Sequence, residues 1–121
     1  MTHHEPVTTD HVEYASKDPS ATRRFLEKVF GYHFDILPDM GGYAMRSDEI
    51  SKGSSTGVRV LEKGESSATI AFLTVPNLDE ALKTAQREGA RIVLPKTEIP
   101  PGWHAVVHAP GDLTIGLFQS K

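Results

Sequence analysis

Apolar and polar positions change their period twice along this chain, in the same order each time. His11-Val12-Glu13-Tyr14-Ala15 alternates, with Val12 and Tyr14 on one side and His11, Glu13 and Ala15 on the other, which predicts a strand. From Asp18 the period lengthens. Asp18 suits a helix N-cap and Pro19 the first helical position, where a missing N–H is harmless. Ala21, Phe25 and Val29 then form a stripe at four-residue spacing that Leu26 and Phe30 widen, and Gly31 ends the helix. The second passage starts at Ala68–Val75, a strand with Ala68, Ile70, Phe72 and Thr74 on one face. Asn77 caps the helix that follows, and Glu80 completes a capping-box pattern. Leu78, Ala81, Leu82 and Ala85 give it a half-buried stripe, and Gly89 stops it.

Shorter strands complete each passage. In the first half they fall at 32–37, 43–46 and 58–61, separated by turns at Gly41-Gly42 and over 51–57. In the second they fall at Arg91–Leu94, Trp103–His108 and Leu113–Gln119, with a Pro-rich loop over 95–102 and a tight turn at Ala109-Pro110-Gly111-Asp112. Each half therefore reads β-α-β-β-β, one supersecondary unit written twice. The expected fold class is α+β: two βαβββ repeats forming a cupped, mostly antiparallel sheet with helices on the outer face. Residues 1–10 are expected as a loose leader, and 11–121 as a single domain with repeats 11–62 and 67–121.

Composition narrows the picture. A chain of 121 residues suffices for one core and is too short for two. A net charge of −3, with no basic cluster longer than Arg23-Arg24, weighs against nucleic acid as a partner. The absence of cysteine removes disulfides and thiolate chemistry. The longest apolar run, 68–75, is far below a membrane span, and residues 1–6 lack the regions of a signal peptide, so the expectation is a cytoplasmic protein with no membrane partner.

Strand parity then picks out candidate chemistry. His11 and Glu13 share a face, and as a pair they suit acid–base work: an imidazole titrates near neutrality and a carboxylate can orient it. Solvent exposure at a strand edge is the competing reading for both. On the last two strands the same parity groups His104, Val106 and His108 with Thr114, Gly116 and Phe118. With Ile70 and Phe72 these would line a small-molecule cleft with an apolar floor. His104 and His108 are roughly 13 Å apart by strand rise, too far to ligate one ion as neighbours. Tyr43, Met45 and Trp103 read as packing residues, Arg59 as a solvated strand-end residue, and His3 and His4 as inert.

Four stretches resemble the vicinal oxygen chelate superfamily of glyoxalases, bleomycin-resistance proteins and extradiol dioxygenases. They are Asp18–Tyr32 (DPSATRRFLEKVFGY), Val75–Gly89 (VPNLDEALKTAQREG), Arg91–Trp103 (RIVLPKTEIPPGW) and Ala109–Gln119 (APGDLTIGLFQ). The resemblance spans about residues 11–119 and is closest to the small single-module, glyoxalase-related type. It implies four metal-ligand positions, of which His11 is the first. The second falls near Gly57–Arg59, where no carboxylate or imidazole occurs. The third falls on Ile70 and the fourth on Gly116. His11 is thus the only retained position, and no cofactor is expected, with a weakly held divalent ion left open. The resemblance further implies a homodimer and a small-molecule ligand. The expected function is glyoxalase- or bleomycin-resistance-like binding of a small organic molecule without the family metal. The alternatives are a lyase or isomerase acting on a hydroxy- or keto-compound through His11 and Glu13, and an antibiotic-sequestering protein. Whether there is turnover stays open.

Overall fold

The computed structural model describes residues 6–46, 55–65 and 68–121. The first five leader residues, with His3 and His4, and positions 51–54 of the expected turn lie outside the described residues. The chain forms two compact units, residues 10–71 and residues 72–121 with 6–9.

The first half runs β1 (Thr8–Ser16), α1 (Pro19–Phe30), β2 (Asp35–Leu37), a 3-10 turn (Pro38–Met40), β3 (Tyr43–Met45) and β4 (Ser55–Val60). Its strands lie in the order β2-β3-β4-β1, with β1 parallel to β4 and the other pairs antiparallel. The second half runs β5 (Ala68–Thr74), α2 (Leu78–Arg87), β6 (Arg91–Ile99), β7 (Gly102–Ala109) and β8 (Leu113–Ser120). It repeats the pattern in the order β5-β8-β7-β6, with β5 parallel to β8 and the remainder antiparallel. The α+β class and the doubled βαβββ order are those the hydrophobic pattern predicts. Neither α-helix among the described residues is long and apolar enough to cross a membrane.

The caps explain the helix limits. Asp18 accepts the Ala21 N–H at 3.1 Å, and Gly31 takes a left-handed φ of 74° that closes α1. Asn77 accepts the Glu80 N–H at 3.1 Å, while Gln119 of β8 accepts the Leu78 N–H at 2.7 Å. Both helix starts therefore have partners for donors that the helix itself leaves open. In the second half Leu78 and Leu82 of α2 pack on Val75, Ala105, Val107 and Leu117. In the first half a smaller core holds Phe34, Ala44 and Val58, with Tyr14, Leu26 and Tyr32 against it.

Three expectations need correction. The strand begins at Thr8 and not at His11, because β-branched Thr8 and Thr9 suit extended backbone without any apolar alternation to announce it. The Pro-rich stretch after Leu94 is strand as far as Ile99. β6 is the outer strand of its half, and its ladder slips between Ile92 and Leu94 and again between Leu94 and Thr97, so the missing N–H of Pro95 is tolerated. Finally, α1 turns Thr22 and Leu26 inward, while Phe25, Val29 and Phe30 are 58%, 57% and 61% exposed. The inward line of that helix mixes polar Thr22 with Leu26, so apolar spacing alone does not announce it, and the strands beneath decide.

Candidate functional site

The face of the first half that lies opposite Tyr14 and Val58 carries a continuous polar chain. β1 supplies His11 and Glu13, and β4 supplies Ser55 and Arg59, because both strands present alternate residues to one side. The parallel register sets His11 beside Ser55 and Glu13 beside Gly57. β3 contributes Tyr43, whose phenol lies across Gly57 so closely that a Cβ there would overlap Tyr43 Oη. Only glycine leaves that room.

His11 Nδ1 is 2.5 Å from Ser55 Oγ, and His11 Nε2 is 2.7 Å from Tyr43 Oη. Tyr43 donates to Glu13 Oε1 at 3.0 Å, and Arg59 Nε donates to Glu13 Oε2 at 2.7 Å. Arg59 also clasps Glu65 through both terminal nitrogens, at 2.8 and 2.6 Å. Such a two-toothed contact fixes the guanidinium plane as well as its position. Glu65 is itself anchored, accepting the Glu62 N–H at 2.9 Å.

The ionisation of these groups follows from the contacts. Burial, then the Glu13 charge and hydrogen bond, push the Tyr43 phenol well above its ordinary range. The hydrogen bonds from Arg59 hold the Glu65 carboxyl below the usual carboxylate range, and those bonds in turn raise the Arg59 guanidinium. Tyr43 therefore stays a neutral donor and Glu65 a carboxylate.

The sequence-predicted residues fall into separate groups. His11 and Glu13 are brought together through Tyr43, and Glu13 is 9% exposed, so the edge-exposed reading does not hold for it. In the second half, β7 and β8 set His104 opposite Phe118, Val106 opposite Gly116 and His108 opposite Thr114, which gives these six positions one common face. Phe72 lies flat over Gly116, where a Cβ would overlap its ring, and stacks on His104 with centroids 6.3 Å apart. Ile70 and Phe72 are 3% and 6% exposed. His108 pairs with Asp112 at 2.8 Å, at the turn that joins the two strands.

Arg59 is no solvated strand-end residue and Tyr43 no mere packing residue: both are central to the chain, and Ser55 and Glu65 join them. Parity offered one clue. Ser55, Gly57 and Arg59 alternate, as do His11 and Glu13, and a carboxylate on a half-buried strand needs a cation nearby. Tyr43 gave no such signal, since its role depends on the slot above Gly57.

The metal that the resemblance implies does not fit these residues. Of the four expected positions, one falls near Gly57–Arg59, where the Tyr43 ring lies over Gly57, one is the buried apolar Ile70, and one is a glycine under the Phe72 ring. Both nitrogens of the remaining residue, His11, face side-chain oxygens of the chain itself. Among the described residues no three His, Cys, Asp or Glu come together as a metal-holding group.

The sequence matches no protein-family model and no curated protein. Solved structures do match in shape. Methylmalonyl-CoA epimerase from Mycobacterium tuberculosis is 18% identical with a TM-score of 0.69, covering 100% of this chain and 93% of that one. A structure described as NAD-dependent benzaldehyde dehydrogenase from Legionella pneumophila is 18% identical with a TM-score of 0.66, covering 92% and 98%. A variant of Streptomyces coelicolor methylmalonyl-CoA epimerase, in complex with 2-nitronate-propionyl-CoA, is 19% identical with a TM-score of 0.60, covering 93% and 96%. The epimerases have the vicinal oxygen chelate fold, and this chain shares that fold.

Proposed function

We propose that this protein binds a small organic molecule on the face that carries His11, without a divalent ion at the ligand positions of the fold family. One observation carries the reading: near one of those positions and at another a glycine lies beneath an aromatic ring, Tyr43 over Gly57 and Phe72 over Gly116. Rings in those places offer apolar surface, which suits an organic ligand and not a bare cation. Within the second half, taken by itself, Phe72 stacks on His104.

The test combines two measurements on the full chain. Elemental analysis of protein purified without chelator should find well under one divalent ion per chain, and one tightly bound ion per chain would overturn the reading. Thermal-shift screening should find stabilisation by small 2-oxo acids, since a ligand of the folded state raises stability by mass action. Stabilisation by planar cationic antibiotics alone would favour antibiotic sequestration instead.

A second reading is an isomerase or lyase that moves a proton through His11. Its support is the direct chain from His11 through Tyr43 to Glu13, together with solved epimerases of the same fold. In this reading a substrate must displace Ser55 or Tyr43 from His11, because both nitrogens of His11, like both oxygens of Glu13, already face side chains of the chain itself. Solvent deuterium appearing at the carbon beside the carbonyl of a bound 2-oxo acid, and its loss in His11→Ala, would establish turnover.

A further inference from the structure

Phe25, Val29, Phe30, Ile36 and Val60 are each exposed by half or more, and all five lie on one side of the first half. The first three belong to α1. Ile36 of β2 stands opposite Ala44, and Ala44 opposite Val58, so Ile36 shares the sheet face that packs beneath α1. Val60, two residues after Val58, shares it too. This is the side away from His11. The aromatic rings there form a ladder that runs from solvent to the core. Phe25 meets Phe30 edge to face with centroids 6.1 Å apart, Phe30 lies 6.2 Å from Tyr32, and Tyr32 lies 6.1 Å from buried Phe34.

The charge on this side is unlike that of the chain as a whole. The chain carries a net −3, whereas α1 sets Arg23, Arg24 and Lys28 against Glu27 alone. At about 3.6 residues per turn, Arg24 and Lys28 form the row next to Phe25 and Val29, and Glu27 falls on the far side of the helix from them. Arg46 adds a further cation, its guanidinium 3.8 Å from the Tyr32 ring centroid. Apolar side chains with a row of cations beside them fit a partner that is both apolar and anionic. A second copy does not supply one through this helix. A two-fold contact repeats each flank, so an antiparallel pairing sets the two Arg24–Lys28 rows together, and a parallel pairing offers that row no carboxylate of the helix. A nucleic-acid strand would use the cations but leave Val29, Ile36 and Val60 without apolar cover. We infer that this side of the first half is a peripheral docking surface for an anionic phospholipid bilayer. Phe25, Val29 and Phe30 enter the boundary between headgroups and acyl chains, and Arg24 and Lys28 meet the lipid phosphates. The expectation of no membrane partner rested on the lack of a spanning segment, which this contact does not need.

Co-sedimentation of the full chain with vesicles tests the docking surface. Wild type should pellet with vesicles of phosphatidylcholine mixed with phosphatidylglycerol, and far less with phosphatidylcholine alone. Added salt should release it, because attraction between exposed charges is screened. Phe25→Ser and, separately, Lys28→Glu should each weaken binding roughly tenfold, one through lost apolar burial and the other through reversed charge. Both positions are exposed, and circular dichroism checks that each variant is folded. Arg91→Glu, at an exposed cation of the second half, is the control and should bind as wild type does. Equal pelleting with both kinds of vesicle, or pelleting with neither, overturns the inference. So does an Arg91→Glu loss as large as that of Lys28→Glu, or a Phe25→Ser protein that binds unchanged. A dimer that Phe25→Ser dissociates, in protein that ignores vesicles, overturns it in favour of a second copy. Binding to a single-stranded oligonucleotide in place of vesicles overturns it in favour of nucleic acid.

Discussion

Gly57 and Gly116 show how much a missing side chain can determine. Neither has a positive φ, so their value lies in space and not in backbone freedom. Gly57→Ala should drive the Tyr43 ring off its seat and destabilise the fold by about 1–3 kcal/mol, the usual penalty for overfilling a packed site. Gly116→Ala should do the same to Phe72. Gly64→Ala is the control: it has open space but a φ of 84°, so only strain of about 1 kcal/mol applies. Urea denaturation of the three variants would rank them, and equal losses would sink the steric argument. Glu65 offers a second test. Its carboxyl is depressed by Arg59, so its contribution is present above the ordinary carboxylate pKa and lost as pH falls through the lower folded-state value. Wild type should therefore exceed Glu65→Gln in stability near neutrality, and the gap should close in acid. A gap that widens on acidification would contradict the ion pair.

The two helices obey the same rules and are held very differently. α2 buries Leu78 and Leu82 completely or nearly so, whereas no residue of α1 is buried. Leu82→Ala should cost about 2–4 kcal/mol, since it leaves a void in the second-half core. Phe25→Ser on the exposed stripe of α1 should change stability by no more than about 0.5 kcal/mol, as surface substitutions do. Asn77→Ala removes a cap and should cost about 1 kcal/mol. Thermal denaturation monitored by circular dichroism would check all three, and a Phe25→Ser loss as large as that of Leu82→Ala would show that this stripe is covered in solution. The hydrophobic pattern located both helices and their caps. It could not say that the line of Thr22 and Leu26, and not that of Phe25 and Val29, faces inward on α1, because that depends on the strands it packs against.

At the scale of the whole molecule, the order βαβββ is written twice, and the metal positions are those that the resemblance to the vicinal oxygen chelate superfamily implies. Gly57, Ile70 and Gly116 supply no donor atom. Adding manganese or zinc to the intact protein should therefore leave its unfolding temperature unchanged, where a resident ion would raise it with concentration. A saturable rise that depends on His11 would contradict the fit derived above.

Helix starts and stops, strand parity and the repeated order of elements were all readable from the chain alone, because capping and periodicity act over a few neighbouring residues. The polar chain from Ser55 to Glu65 was not. His11, Tyr43 and Arg59 are distant in sequence, and strand register and the empty slot over Gly57 bring them into contact, while a tight turn at Glu62–Glu65 returns Glu65 to Arg59. Register and close approach are properties of packed neighbours, so only the tertiary structure could turn a presumed packing tyrosine and a presumed surface arginine into partners of a buried carboxylate.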